Sequence, residues 1–213
     1  MKKYTLKTYS KKLLADTLTP VSVYLRLRDS FPNSLLLESS DYHANDNSFS
    51  YICCNPIASI EVKNETLTQS FPDGTESKSA IAKPQDVIQT LQEFSQSFTL
   101  MEPQKLPFVH HGLFGFMSYD MVRYFESIDL EKKQKNLQIP DAFYAVYQNI
   151  IAINHFHNEA YIFAHCYHSE SNIPEIEQLI SSKNFAEYPF RRKGETQSNM
   201  DDPSFKELVK KCK

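Results

Sequence analysis

The segment DAFYAVYQNIIAINHFHNEAYIFAHC, residues 141–166, constrains the fold more than any other part of the chain. In an extended conformation Phe143, Ala145, Tyr147, Ile151 and Ile153 share one face, with Val146 and Ile150 on the other. His157-Asn158-Glu159 reads as a turn, and residues 160–166 return as a second strand. Two long apolar strands joined this way form an antiparallel pair, around which the remaining elements must be arranged.

Those elements are short and mixed. Residues 35–37 and 48–54 read as strands, the second closed by an Asn55-Pro56 turn. Residues 59–62 and 66–71 read as a hairpin about Asn64-Glu65, and FPDGTE as another turn. Residues 84–98 carry Val87, Ile88, Leu91 and Phe94, a helical stripe. Thr19-Pro20 suits a helix start, although Val23, Leu25 and Leu27 would equally suit a strand. Residues 107–116 read as a strand interrupted by glycine, followed by a short helix through SYDMVRYFE. A short helix follows Pro174, then a polar linker. The stripe Phe205, Leu208, Val209 and Cys212 predicts a last helix, with Asp202 as cap and Pro203 at its first position. The predicted class is α+β, mostly antiparallel sheets flanked by helices, with a domain over 1–190, a linker over 191–202 and a helix over 203–213.

Composition removes several functions. Only four glycines occur in 213 residues, so no glycine-rich phosphate-cradling loop is available. A net charge of −3 favours neither nucleic acid nor an anionic membrane, and no apolar run reaches the roughly 20 residues of a membrane span. The four cysteines include no Cys-x-x-Cys pair, which predicts reduced thiols in a cytoplasmic protein. His155, His157, His165, His168 and Cys166 bracket the hairpin and have zinc-ligand chemistry, but their place at a hairpin end also suits plain exposed side chains. No residue pattern marks a nucleophile, so no catalytic residue and no metal ligand is assigned. In residues 110–126, HHGLFGFMSYDMVRYFE, Tyr119, Asp120 and Arg123 follow two glycines at helix spacing. Arg123 can pair with Asp120 or Glu126, either to fix the helix or within a partner-binding surface.

Read together and in order, TPVSVYLRLRD, LLLESSD, SFSYICCNP, GLFGFMSYDMVRYFE, IPDAFYAVYQNI and SNMDDPSFKELVKKCK resemble the N-terminal region of anthranilate synthase component I. Aminodeoxychorismate synthase component I shares this layout. The resemblance implies a fold, a reaction and a site. The reaction converts chorismate, with ammonia from a glutamine amidotransferase subunit, to anthranilate and pyruvate. Mg²⁺ serves the full-length enzyme, and none is expected in this chain. The family's catalytic and metal-binding motifs lie beyond the matching region, so the resemblance implies a fragment without activity of its own.

It also implies that Leu36, Leu37, Glu38 and Ser39 belong to a tryptophan feedback site, with Ser48 and Phe49 on the opposite wall. Glu38 has the chemistry to take the ligand's ammonium and Ser39 its carboxylate. In a regular strand these two point to opposite faces, so a bend is needed for both to reach one ligand. The alternative is that Glu38 ends a surface strand and Ser39 starts a turn. A non-catalytic amino-acid-binding module is also compatible with the sequence.

Overall fold

The computed structural model describes residues 2–38, 48–103, 105–128, 139–182, 189–195 and 197–213. Its centre is the antiparallel pair of two long strands, β3 (Phe49–Lys63) and β8 (Ala142–Asn154), in register from Phe49↔Asn154 to Val62↔Ala142. Each long strand has two different neighbours along its outer edge. On β3 these are β2 (Leu35–Leu37) and then β4 (Thr66–Ser70), followed by β5 (Glu76–Ala80). On β8 they are β7 (Phe114–Met117) and then β9 (Glu159–Cys166), which continues to β1 (Tyr4–Leu14). A short β6 (Phe98–Leu100) pairs in parallel with the start of β1. The expected α+β architecture with a mostly antiparallel sheet is therefore the one observed.

Helices cover the sheet in two places. α1 (Pro20–Leu27) and α3 (Ile173–Ser181) pack over one half, where Val23, Leu27 and Ile176 meet Ile52, Ile151 and Ile162. α2 (Pro84–Gln96) and a 3-10 helix (Tyr119–Tyr124) pack over the other, around Phe94, Met121, Ile60 and Val62. A third cluster gathers Cys53, Ala145, Tyr147, Ile150 and Phe163 beneath Leu106 and Phe108. Thr19 settles the helix–strand ambiguity at α1. Its hydroxyl accepts from the Ser22 N–H while the Ser22 hydroxyl reaches the Thr19 N–H, a reciprocal cap that fixes a helix start.

Several sequence expectations change. Asn55-Pro56 does not end β3. Asn55 takes φ 59° and the pairing register slips between Pro56 and Ala58, so the turn residues are absorbed as a bulge inside the strand. The five residues expected on one face of β8 are divided: Ala145 and Tyr147 pack with Ile150 and Ala152, whereas Ile151 and Ile153 lie under the helices. The strand predicted over 107–116 is reduced to Phe114–Met117 because Gly112, at φ +137°, breaks extension. The following helix is a 3-10 turn. Asp201, one residue earlier than expected, caps α4 (Asp202–Cys212) by accepting from the Ser204 N–H at 2.9 Å. The Asn64-Glu65 hairpin is as expected, with both residues at positive φ.

Candidate functional site

Glu38 directly follows β2, whose last residue, Leu37, pairs with Tyr51; Phe49 opens β3 two residues before Tyr51. The structure thus puts Glu38, Ser48 and Phe49 at one end of the sheet, on adjacent strands. Glu38 is exposed, and Ser39 lies outside the described residues. Ser48 is half-buried and its carbonyl accepts from the His155 N–H at 3.0 Å, which ties the start of β3 to the end of β8. The Phe49 ring stacks on Phe108 at 4.7 Å between centroids and lies 6.2 Å from Tyr51. Phe108 in turn meets Tyr161 at 5.0 Å.

Beside these rings is an open cavity of about 380 Å³, lined by Phe49, Leu106, Phe108, Asn154, Glu159 and Tyr161. The Tyr161 hydroxyl donates to Glu159 at 2.8 Å and Lys12 pairs with the same carboxylate at 2.6 Å. Hydrogen bonds from Lys12 and Tyr161 hold Glu159 below the usual carboxylate range, so it is ionised at neutral pH. Aromatic walls with a charged rim suit a ligand that is apolar at one end and charged at the other. Sequence reasoning missed Phe108 and Tyr161, and it considered His155 only as a metal ligand. His155 Nε2 lies 2.7 Å from the hydroxyl of buried Ser50, at the same end of the sheet.

At the second candidate, Arg123 pairs with Asp120 as the spacing allows, at 3.5 Å, and its Nε donates to the Asp120 carbonyl at 2.8 Å. Arg123 is thus turned back onto its own 3-10 helix, while Tyr119 projects with 75% of its surface exposed. The glycines before it have separate roles: Gly112 supplies the positive φ, and Gly115 the close approach to β8.

The described histidines do not gather as ligands. His165 is buried; a carbonyl oxygen only accepts, so Nε2–H must donate to the His110 carbonyl at 2.7 Å. Nδ1 then accepts from the Thr8 hydroxyl at 2.9 Å, which fixes the neutral tautomer. Burial pushes its pKa down to about 4. Among the described residues no group of three or more His, Cys, Asp or Glu side chains is placed to hold a metal ion. The four cysteines are free; burial pushes the Cys54 thiol up to about 12, which leaves it unreactive. No helix among the described residues is long and apolar enough to cross a membrane.

Comparison with known proteins is consistent with the resemblance read from the sequence. Anthranilate synthase component 1 of Lactococcus lactis is 27% identical over 215 residues, which cover 95% of this chain and 44% of that protein. The Thermus thermophilus protein of the same name is 26% identical over 159 residues, 75% of this chain and 32% of the relative. A crystal structure of anthranilate synthase component I from Streptococcus pneumoniae aligns with a TM-score of 0.44 and 23% identity, over 79% of this chain and 34% of that one. The chain thus spans less than half the length of these relatives. The sequence model of a family described as chorismate binding enzyme matches residues 20–213. The chain belongs to the chorismate binding enzyme family.

Proposed function

We propose that this chain is the N-terminal regulatory and structural portion of an anthranilate synthase large subunit, and that the end of β2 and β3 is part of its tryptophan feedback site. The observation that carries the reading is that β2 runs from paired leucines straight into exposed Glu38, at the same end of the sheet as the ring-walled cavity that Phe49 lines. Tryptophan is a zwitterion with an apolar ring. Its ammonium requires a carboxylate such as Glu38, its carboxylate requires donors such as the Ser39 hydroxyl, and its indole requires an apolar wall.

Tryptophan held here favours a conformation with lower affinity for chorismate, and linkage makes the antagonism mutual. Chorismate, Mg²⁺ and ammonia delivered by a glutamine amidotransferase subunit belong, in this reading, to the full-length cytoplasmic enzyme. The α4 stripe supports a continuing fold: Phe205, Leu208 and Val209 are 61%, 45% and 40% exposed, as for a helix whose covering layer comes from elsewhere. In this reading Tyr119, Asp120 and Arg123 contribute to the amidotransferase contact, and the exposure of Tyr119 supports it.

The test is direct. Supplied with chorismate, ammonium and Mg²⁺, the purified 213-residue chain should form no anthranilate above the uncatalysed rate. Sustained anthranilate production would contradict the assignment of the catalytic apparatus to the remainder of the enzyme.

A further inference from the structure

The outer edge of β8 has a gap. β7 pairs with it as far as Ala145 and β9 begins again at Asn149, so residues 146–148 have no strand partner on that side among the described residues. A cavity of about 180 Å³ lies at this gap, lined by Val146, Tyr147 and Ile150 of β8, Phe98 and Leu100 of β6, and His165 of β9. His111, Gly112 and Leu113, with Leu6, Ser95 and Thr99, complete the lining. His111 is exposed, and a side chain built at Gly112 would meet no atom within 4 Å, so the cavity opens past these two residues.

Volume, wall chemistry and charge each limit what fits. A cavity of roughly 150 Å³ accommodates a benzene ring, so this one accepts a single ring with a small substituent. The lining mixes aliphatic and aromatic residues with Ser95, Thr99 and two histidines, so it is apolar in part and offers hydrogen-bonding groups in part. His165 is closed to a ligand, since its two ring nitrogens already serve Thr8 and His110. His111 differs: no described residue hydrogen-bonds its ring. Burial and neighbouring His110 both lower its pKa, so at neutral pH it presents an uncharged imidazole with one donor and one acceptor nitrogen. No described lysine, arginine or carboxylate lines the cavity.

We propose that this cavity is a binding site for a compact, uncharged, single-ring aromatic compound whose hydroxyl or amine hydrogen-bonds His111. The site is distinct from the Glu38–Phe49 end of the sheet and does not depend on tryptophan binding there.

Phenol, anisole and benzoate are the probes, titrated against the 213-residue chain by NMR with the His111, Gly112 and His165 resonances as reporters. Phenol should saturate these shifts. Anisole, which keeps the ring but cannot donate, should bind about tenfold more weakly, the worth of one hydrogen bond. Benzoate should bind more weakly than phenol, because its charge has no partner in the cavity. In His111→Ala the phenol–anisole difference should vanish, and in Leu100→Phe, which fills the cavity, phenol binding should be lost. His111 is exposed, so the first variant leaves the fold intact and keeps the test decisive should the second fail to fold. Absence of saturable phenol binding, a phenol preference that survives His111→Ala, or phenol binding undiminished in a folded Leu100→Phe would each overturn the proposal.

Discussion

Replacing Gly115 with alanine should lower the stability of the chain by about 3 kcal/mol, at the upper end of the usual cost of overpacking. Gly115 pairs with Tyr144 across β7 and β8, and a Cβ built on it would lie 1.9 Å from the Phe143 carbonyl oxygen and 2.7 Å from the Tyr144 Cα. Both atoms are backbone of β8, which is held on its other edge by β3 and has no side-chain rotation with which to yield. The strands must therefore separate locally, uncovering Phe114 and the third core cluster. Gly74, at φ +80° in an open turn, is the control; its alanine variant meets no atom and should lose only about 1 kcal/mol from backbone strain. Urea denaturation of both variants measures the difference, and equal losses would refute the close-approach account.

Acid should expose the second large effect. Burial holds the His165 pKa at about 4, against 6.5 for an unburied imidazole. Between those values the unfolded chain binds a proton that the folded chain refuses. This contribution to stability is therefore fully present above pH 6.5, declines as pH falls, and is gone by about pH 4. The shift corresponds to about 3 kcal/mol across the window. His165→Gln removes the titrating group while leaving an amide able to donate to the His110 carbonyl. Its stability should fall less than that of the parent between pH 7 and pH 4.5; identical pH profiles would show that His165 titrates alike in the folded and unfolded chain.

The parts of the fold legible in the sequence are those in which one strand carries its own signal. β8 and β9 read clearly because long apolar alternation meets a turn at Asn158, which adopts positive φ. The Asn64-Glu65 hairpin reads for the same reason. β5 gives no such signal, since Glu76–Ala80 is exposed throughout and is a strand only because β4 pairs with it. β1 carries Lys7, Lys11 and Lys12 beside its buried Tyr4 and Leu6, and its basic character masked a strand whose β9 partners lie more than 140 positions away. At Asn55-Pro56 local turn chemistry lost to a tertiary constraint: β8 continues past it, and β3 accommodates the turn residues as a bulge. Packing thus overrode a strong local signal.

The candidate site divides in the same way. Glu38 and Phe49 were named through the family resemblance; the change from apolar to polar sequence at Glu38 by itself equally suits a strand that ends at the surface. The sequence did not bring Phe108, His155 and Tyr161 to this corner, because they reach it from a loop, from the turn after β8 and from β9, and only the fold brings them there.

Tryptophan binding tests the central claim most directly. The chain contains no tryptophan, so fluorescence anisotropy excited at the red edge of indole absorption reports on the ligand alone. The account predicts a saturable rise in anisotropy with added chain, reduced at least tenfold by Glu38→Gln and by Ser39→Ala, each of which removes one group that meets the ligand's charges. A rise unchanged in both variants would contradict the placement of the feedback site at the end of β2 and β3.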